Sequence, residues 1–424
     1  MNRRILAGPS LAGGAESLDA HRERLGPLPG RMDSRELIAT LERSGLLGRG
    51  GAGFPVGRKW ASVASRAEGQ AVVLANGAEG EPLSAKDRIL MATRPHLVLD
   101  GIELAAAAVG AHRIVVYVGS EHQDAKRAMS RAVAERRNAR RGRRTAAGPG
   151  VGSGAGSAIP MRLIAAPVGY ASGEESAAVH FVNEGDARPV TVPPRPYERG
   201  VAGRPTLVQN VESLANAALI ARFGDAWYRE AGLGETKGTA LITVTGAPQS
   251  GLTEIELGTT ICEVARLCGI ESPRPVMLGG YFGGWLAGEA AWPMALDPVS
   301  LRAAGSAFGA GVVSFLEPGA CGVVTTARVM DFMAGSSAAQ CGPCVFGLRA
   351  IADASARVAR GRGRQDDTRR IVGWIESIAG RGACRLPDGT IGFMASALRV
   401  FRDEFDSHQN HRRCTAPHGE GRAA

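Results

Sequence analysis

Four glycines crowd into the seven residues Gly48-Arg49-Gly50-Gly51-Ala52-Gly53-Phe54, between two stretches that favour helix. Upstream, Asp33 or Ser34 can cap an amphipathic run carrying Leu37, Ile38 and Leu41, which Gly45 ends. Downstream, residues 56–64 resume a helical pattern. A loop so rich in glycine lets the backbone approach a ligand closely, and its N–H groups at a helix start form a concave anion site. Arg49 and Lys59 add fixed positive charge suited to a phosphate. Taken alone, such a run is equally compatible with a plain turn.

The surrounding pattern predicts an α/β layered fold. Ala71-Val72-Val73-Leu74, residues 113–118 and Met161-Arg162-Leu163-Ile164 read as short buried strands, with helical runs such as 94–111 between them. Segments 76–81 and 170–175 follow strand candidates, which is where sheets of this kind bind ligands. A length of 424 residues exceeds one ordinary core and implies several domains. No apolar stretch approaches the ~20 residues of a membrane span. The apolar run after Arg3-Arg4 is too short for a secretion signal, so a cytoplasmic location is expected.

The net charge of +9 is local. Residues 126–144 hold nine basic side chains against the single acid Glu135. The absence of interleaved aromatics argues against a nucleic-acid partner. Two readings remain for this block: a solvated helix face, or a docking patch for an acidic protein such as a ferredoxin. It leads into a Gly-, Ala- and Ser-rich stretch, and 137–158 reads as a mobile loop. Seven cysteines, an odd number, argue against a disulfide framework. Cys262 and Cys268 read as core residues of a helix, whereas the tight pair Cys341-Gly342-Pro343-Cys344 needs another explanation.

In this company the glycine loop becomes recognisable. Gly48–Pro55 with Lys59-Trp60, Asn76-Gly-Ala-Glu-Gly-Glu-Pro82 with Lys86-Asp87-Arg88, Arg94-Pro95-His96, Tyr170-Ala-Ser-Gly-Glu-Glu175 and Arg204-Pro-Thr-Leu-Val-Gln-Asn-Val-Glu-Ser213 run in one order. Over roughly residues 35–405 the chain resembles the NADH-binding flavoprotein subunit of bacterial respiratory complex I and the related diaphorase subunits of hydrogenases and formate dehydrogenases. The resemblance implies an N-terminal extension (1–32), an FMN-binding α/β domain (33–235), a small β-grasp, SLBB-like domain (236–322), a helical iron–sulfur domain (323–406) and a polar tail (407–424). In the β-grasp part, 241–244, 252–257 and 276–278 are the strand candidates. By the family pattern Gly48, Arg49, Gly50, Gly51, Lys59, Asn76, Tyr170, Gly173, Glu174, Gln209 and Asn210 line the flavin site, and Phe54 is an aromatic available to stack on NAD(H). Glu79, Glu81 and Glu175 lie near flavin and nicotinamide, and Cys341, Cys344 and Cys384 ligate a cluster.

Departures from the pattern are equally specific. Ala78 stands where the family has an Asp in Asn-Ala-Asp-Glu, and Ser62 and Arg195 stand where it has stacking aromatics. Each lost stack could cost ~0.5–1.5 kcal/mol of dinucleotide binding. Ala338 replaces the first Cys of the cluster motif, and three thiolates are one short of the usual 4Fe–4S set. Cys414, in a tail with His408, His411 and His418, is a candidate replacement, and the same Cys and His content could bind zinc instead. The implied activity is an NAD(P)H:acceptor oxidoreductase in a multi-protein redox system, with no ferredoxin module of its own and electrons leaving to a separate acceptor. An electron-transfer flavoprotein that no longer uses NADH and a non-catalytic scaffold are the alternatives.

Overall fold

The structure, a computed structural model, describes residues 3–29, 32–146 and 159–414. Its first sheet has four parallel strands, β1 (Ala71–Gly77), β2 (Ala111–Gly119), β3 (Met161–Ala166) and β4 (Thr206–Asn210), in the order β3-β2-β1-β4. β1 is apolar and buried along nearly its whole length, as a parallel strand covered on both faces must be. Its side chains divide with period two. Val73 and Ala75 join the core beneath helices Pro95–Ala108 and Val211–Glu230. Val72 and Leu74 pack with Ala178 and Val179 of helix Glu175–Glu184 on the other face.

The strand order places the site. From β1 the chain proceeds to β2 and β3 on one side, then returns to add β4 on the other. The direction reverses between β1 and β4, and a crevice opens at the carboxyl ends of strands flanking such a reversal. Asn76 and Asn210 are register partners at that end.

A second sheet follows, with β5 (Thr239–Thr245), β6 (Gly251–Glu256), β7 (Val276–Leu278), β8 (Gly284–Leu286) and β9 (Val312–Phe315) in the order β6-β5-β9-β7-β8. Only β5–β9 is a parallel pairing. Helix Ile261–Leu267, opened by a Thr260/Glu263 capping box, packs on this mixed sheet in the β-grasp manner expected. Helices Gly322–Gly335, Arg349–Ala359, Asp367–Ile378 and Leu386–Val400 then enclose a separate core around Met330, Leu348, Ile351 and Phe393.

Several expectations change. β4, β8 and β9 are not among the strands read from the sequence; they are three to five residues long and leave too little periodicity to detect. The loop expected over 137–158 begins later, because helix Gln123–Ala146 continues through its first part. Arg and Ala are strong helix formers. The rest of that segment, 147–158, lies outside the described residues. The basic block is also less free than its sequence suggests. Arg136 is buried against Asp100 (2.6 Å) and Glu103 (3.2 Å), and Arg140 reaches Glu103 at 2.8 Å. The N-terminal segment packs into the first core through Ile5 and Leu6, whose N–H groups donate to Glu254 of β6 at 3.0 Å.

Helices Pro95–Ala108 and Val211–Glu230 meet at Gly101, where an added Cβ would lie 2.0 Å from the Leu214 carbonyl oxygen. Backbone cannot yield as a side chain can. Gly101→Ala is therefore expected to lower stability by ~1–3 kcal/mol, read as a lower urea midpoint. An unchanged midpoint would show that the two helices do not approach this closely.

Candidate functional site

Helix Ser34–Ser44 stops at Gly45, and the chain enters the glycine loop through a bridge between Leu47 and Pro55. Gly48 N–H donates to the Phe54 carbonyl at 2.9 Å and closes the loop into a cradle. Gly51 sits at φ 107°, a conformation that side chains rarely adopt, and bridges to Gly309 ahead of β9. The loop ends on helix Val56–Ala64, whose first turn has no side-chain cap; the Val56 N–H is taken by the Leu46 carbonyl at 2.9 Å, which leaves those of Gly57 and Arg58 to face an anion. Beneath, the cradle rests on the start of helix Val211–Glu230. Arg49 N–H donates to Ser213 Oγ at 2.9 Å, and a Cβ at Gly50 would come within 3.4 Å of Asn210 Cβ.

Arg49 takes a different part from the one its sequence suggests. Its guanidinium is buried, donates to the Thr239 carbonyl at 2.9 Å, lies 3.4 Å from Tyr228 Oη and stands 3.7 Å from Glu212. The fully buried Glu212 needs a cation nearby, so this charge fastens the loop to the second sheet. Lys59 stays accessible and pairs with Glu175 at the rim.

The strand ends supply amides. Asn76 Nδ2 donates to the Gly173 carbonyl at 2.8 Å, joining the turn after β1 to the one before helix Glu175–Glu184. Glu174 caps that helix, accepting from Ser176 N–H (2.9 Å) and Ala177 N–H (3.0 Å). Asn210 caps the helix after β4 and donates to Asp87 Oδ2 at 2.8 Å. The buried Gln209 Oε1 finds no hydrogen-bond partner among the described residues. A buried acceptor without a donor is costly, and an N–H on the edge of a flavin ring would satisfy it. The cradle, the open helix start and this orphaned acceptor fit FMN.

The two acids after β1 are held in place by the fold. Glu79 accepts from Asp87 N–H (3.1 Å) and Arg88 N–H (3.2 Å) and thereby caps helix Lys86–Thr93. Glu81 accepts from Tyr281 N–H (2.8 Å), Tyr170 O–H (3.0 Å) and Leu83 N–H (3.3 Å). Burial pushes the Glu81 carboxyl up to about 7 against those donors. Tyr170 also stacks on Phe282 (5.0 Å) and meets Phe332 edge-on (6.2 Å), so it joins the three units at one corner.

Cys341, Cys344 and Cys384 come together. Burial pushes the Cys344 thiol up to about 11, a Ser337 hydrogen bond opposes this, and Cys341 and Cys384 add to it. Cys384 in turn has Glu174, the cap of helix Glu175–Glu184, as an electrostatic neighbour. Cys414 is not part of this trio; it stands with Cys321 and His408. Of the aromatic positions, Phe54 is exposed at the loop's end, Ser62 folds its hydroxyl onto the Arg58 carbonyl (2.8 Å), and Arg195 is exposed. Sequence reasoning missed the parts taken by Lys86, Asp87, Glu212 and Ser213. All four lie inside recognised motifs, but pairings across 120 residues or more leave no local signal.

A glycine cradle at a strand reversal, with a cysteine trio beside it, defines a flavin-binding electron-transfer protein. Residues 41–219 match the Nuo51 FMN-binding domain, and residues 324–408 match the NADH-ubiquinone oxidoreductase-F iron-sulfur binding region. The chain is 32% identical over 385 residues to the F 2 subunit of NADH-quinone oxidoreductase of Rhizobium meliloti (strain 1021), covering 89% of this chain and 90% of that one. It is 30% identical to NADP-reducing hydrogenase subunit HndC of Solidesulfovibrio fructosivorans, over 91% of this chain and 78% of that one. A structure of NAD+-reducing [NiFe]-hydrogenase in the H2-reduced state superposes with a TM-score of 0.79 at 26% identity, over 92% of this chain and 64% of that chain. The chain belongs to the family of NADH-quinone oxidoreductase F subunits, which are oxidoreductases.

The Glu81 carboxyl, raised from 4.5 to about 7, contributes stability that is complete below pH 4.5 and is lost as pH rises through 7. Glu81→Gln removes that titration. Relative to the variant, the wild type should lose up to about 3 kcal/mol between pH 5 and pH 8, measured by urea denaturation. Parallel pH dependences would show that Glu81 is not the titrating group.

Proposed function

We propose that this chain is an FMN-dependent NAD(P)H:acceptor oxidoreductase that hands electrons to a separate protein within a multi-subunit redox assembly. One observation carries the reading: the glycine cradle, Asn76, Gln209 and Asn210 meet at the carboxyl ends of β1 and β4, beside the turn whose Glu174 neighbours Cys384. Bound there, FMN supplies acceptance of a hydride's electron pair and its release as single electrons.

The residues divide the remaining work. Loop N–H groups of Gly50 and Gly51, with Lys59, hold the phosphate in a loop that the Gly48 N–H closes. Gln209 and the amides of Asn76 and Asn210 hold the ring edge. Glu175 pairs with Lys59 and keeps that cation at the rim beside the nicotinamide. Glu79 and Glu81 act as positioning residues for the turn after β1, through their bonds to backbone N–H groups. Phe54, 53% exposed, offers a stacking face to the dinucleotide. Cys341, Cys344 and Cys384 would hold an iron–sulfur cluster, with Ala338 supplying no fourth thiolate. The exposed part of the Arg-rich helix Gln123–Ala146 suits an acidic, ferredoxin-like partner by electrostatic steering. Free thiols arranged as metal ligands suit a reducing compartment such as the cytoplasm.

Ser62 and Arg195 favour a second reading, in which the flavin exchanges electrons with another redox protein and no longer takes them from NADH. Neither side chain offers a ring, and the Ser62 hydroxyl is turned onto its own helix. Anaerobic purification with flavin and iron quantified, then titration with NADH and NADPH, separates the two. Bleaching of bound flavin is expected. Flavin that binds but stays oxidised would select the second reading, and failure to take up flavin or iron on reconstitution would leave only a scaffold.

Two variants sharpen this. Gly51→Ala places a side chain at φ 107°, a strain of ~1–3 kcal/mol, and should weaken FMN binding about tenfold or more. Cys344→Ser should remove iron while leaving flavin content unchanged.

A further inference from the structure

The helical unit carries a second set of metal-ligand atoms that the flavin and iron–sulfur chemistry does not use. Cys321 immediately precedes helix Gly322–Gly335, His408 lies in the π-turn Ser407–His411, and Cys414 follows. Their ligand atoms all lie within 4.8 Å of one another. Cys321 Sγ is 3.4 Å from His408 Nε2 and 3.6 Å from Glu404 Oε2.

Three features mark this as a built site. First, His408 is 3% exposed, and its Nδ1 is 3.3 Å from the Val358 carbonyl, an acceptor that requires the proton on Nδ1. That tautomer leaves the Nε2 lone pair directed at the sulfurs, the arrangement by which carbonyls orient metal-ligating histidines. Second, the chain is turned back to bring Cys414 home. Arg412 adopts the left-handed conformation (φ 53°), Ser407 Oγ donates to the Arg413 carbonyl at 2.9 Å, and Gln409 Nε2 donates to the Arg364 carbonyl at 2.6 Å. Third, the spacing suits one ion. Ligands at ~2.3 Å (S) and ~2.05 Å (N) from a tetrahedral zinc are about 3.5 Å apart, close to the 3.4 Å between Cys321 Sγ and His408 Nε2. Two thiolates and an imidazole favour Zn²⁺ over harder cations.

We propose that Cys321, His408 and Cys414 form a structural zinc site, with Glu404 beside the fourth position, that fastens the C-terminal segment to the helical bundle. The site is independent of the iron–sulfur position. A disulfide between the two cysteines would leave the oriented imidazole without a role.

The test uses the full-length protein isolated under reducing conditions, with zinc and iron measured by elemental analysis after dialysis against EDTA and again after cluster reconstitution. One zinc per chain is expected. Cys414→Ser and His408→Gln should lower zinc retention at least about tenfold with iron unchanged, and Cys344→Ser should do the reverse. Wild-type protein loaded with Co²⁺ should show the visible bands of tetrahedral cobalt–thiolate coordination, a readout that does not depend on the variants folding. Zinc well below one per chain with no such bands overturns the proposal. So does a Cys321–Cys414 disulfide found by mass mapping, or loss of iron in a folded Cys414→Ser protein, which would assign that thiol to the cluster.

Discussion

Arg49, Lys86, Asp87 and Glu212 are buried together beneath the glycine cradle, two cations against two anions. Lys86 Nζ lies 2.9 Å from Asp87 and 3.0 Å from Glu212, and Arg49 stands 3.7 Å from Glu212. Burial works to lower the Lys86 pKa, but Asp87 and Glu212 outweigh it and hold the value above its ordinary range. Removing each ion from water costs several kcal/mol, which is recovered only with short distances and satisfied lone pairs. Leu241 N–H on Glu212 (2.9 Å) and Asn210 on Asp87 (2.8 Å) provide part of that. These four residues come from the glycine loop, the start of helix Lys86–Thr93 and the start of helix Val211–Glu230, and their bonds reach β5. The cradle is therefore shaped from below by fixed protein charge.

The same logic links the cradle to the rest of the chain. Glu81, at the end of the turn after β1, takes the Tyr281 N–H from the second unit and the Tyr170 hydroxyl from the first. Tyr170 and Tyr281 both meet Phe332 of helix Gly322–Gly335, at 6.2 and 5.5 Å. One buried carboxyl and a small aromatic cluster thus join the turn after β1 to the second unit and to helix Gly322–Gly335.

Much of this was legible in the sequence where local rules decide. The helix over 56–64 has the bounds its pattern predicts, and Asp33 caps its helix because its side chain satisfies open N–H groups. The order of motifs announced the flavin site. What stayed hidden was set by partners far along the chain. Arg49 beside a glycine loop reads as a phosphate ligand, and only the buried Glu212 shows why its charge turns away. The basic run near Arg136 reads as surface until Asp100 and Glu103 are placed against it. β4 escaped notice because five residues in a buried parallel strand need no alternation.

The cysteines illustrate the same limit and carry the synthesis one step further. In sequence, Cys414 looks like a spare ligand for a cluster that has lost its first cysteine to Ala338. In three dimensions the turn at Arg412 carries it to Cys321 and His408, apart from the three cysteines of the cluster motif. A polar neighbour of the trio is Ser337, next to Ala338, whose hydroxyl works to lower the Cys344 pKa. With Ala338 in place of a thiolate, a cluster held by the trio would have one negative charge fewer around it, and net charge is among the terms that set a cluster's potential. On the function proposed above, the electron exit keeps three thiols with altered electrostatics, and the aromatic losses at Ser62 and Arg195 alter the entry. Both changes lie at the periphery, and the buried charges that shape the flavin cradle are intact between them.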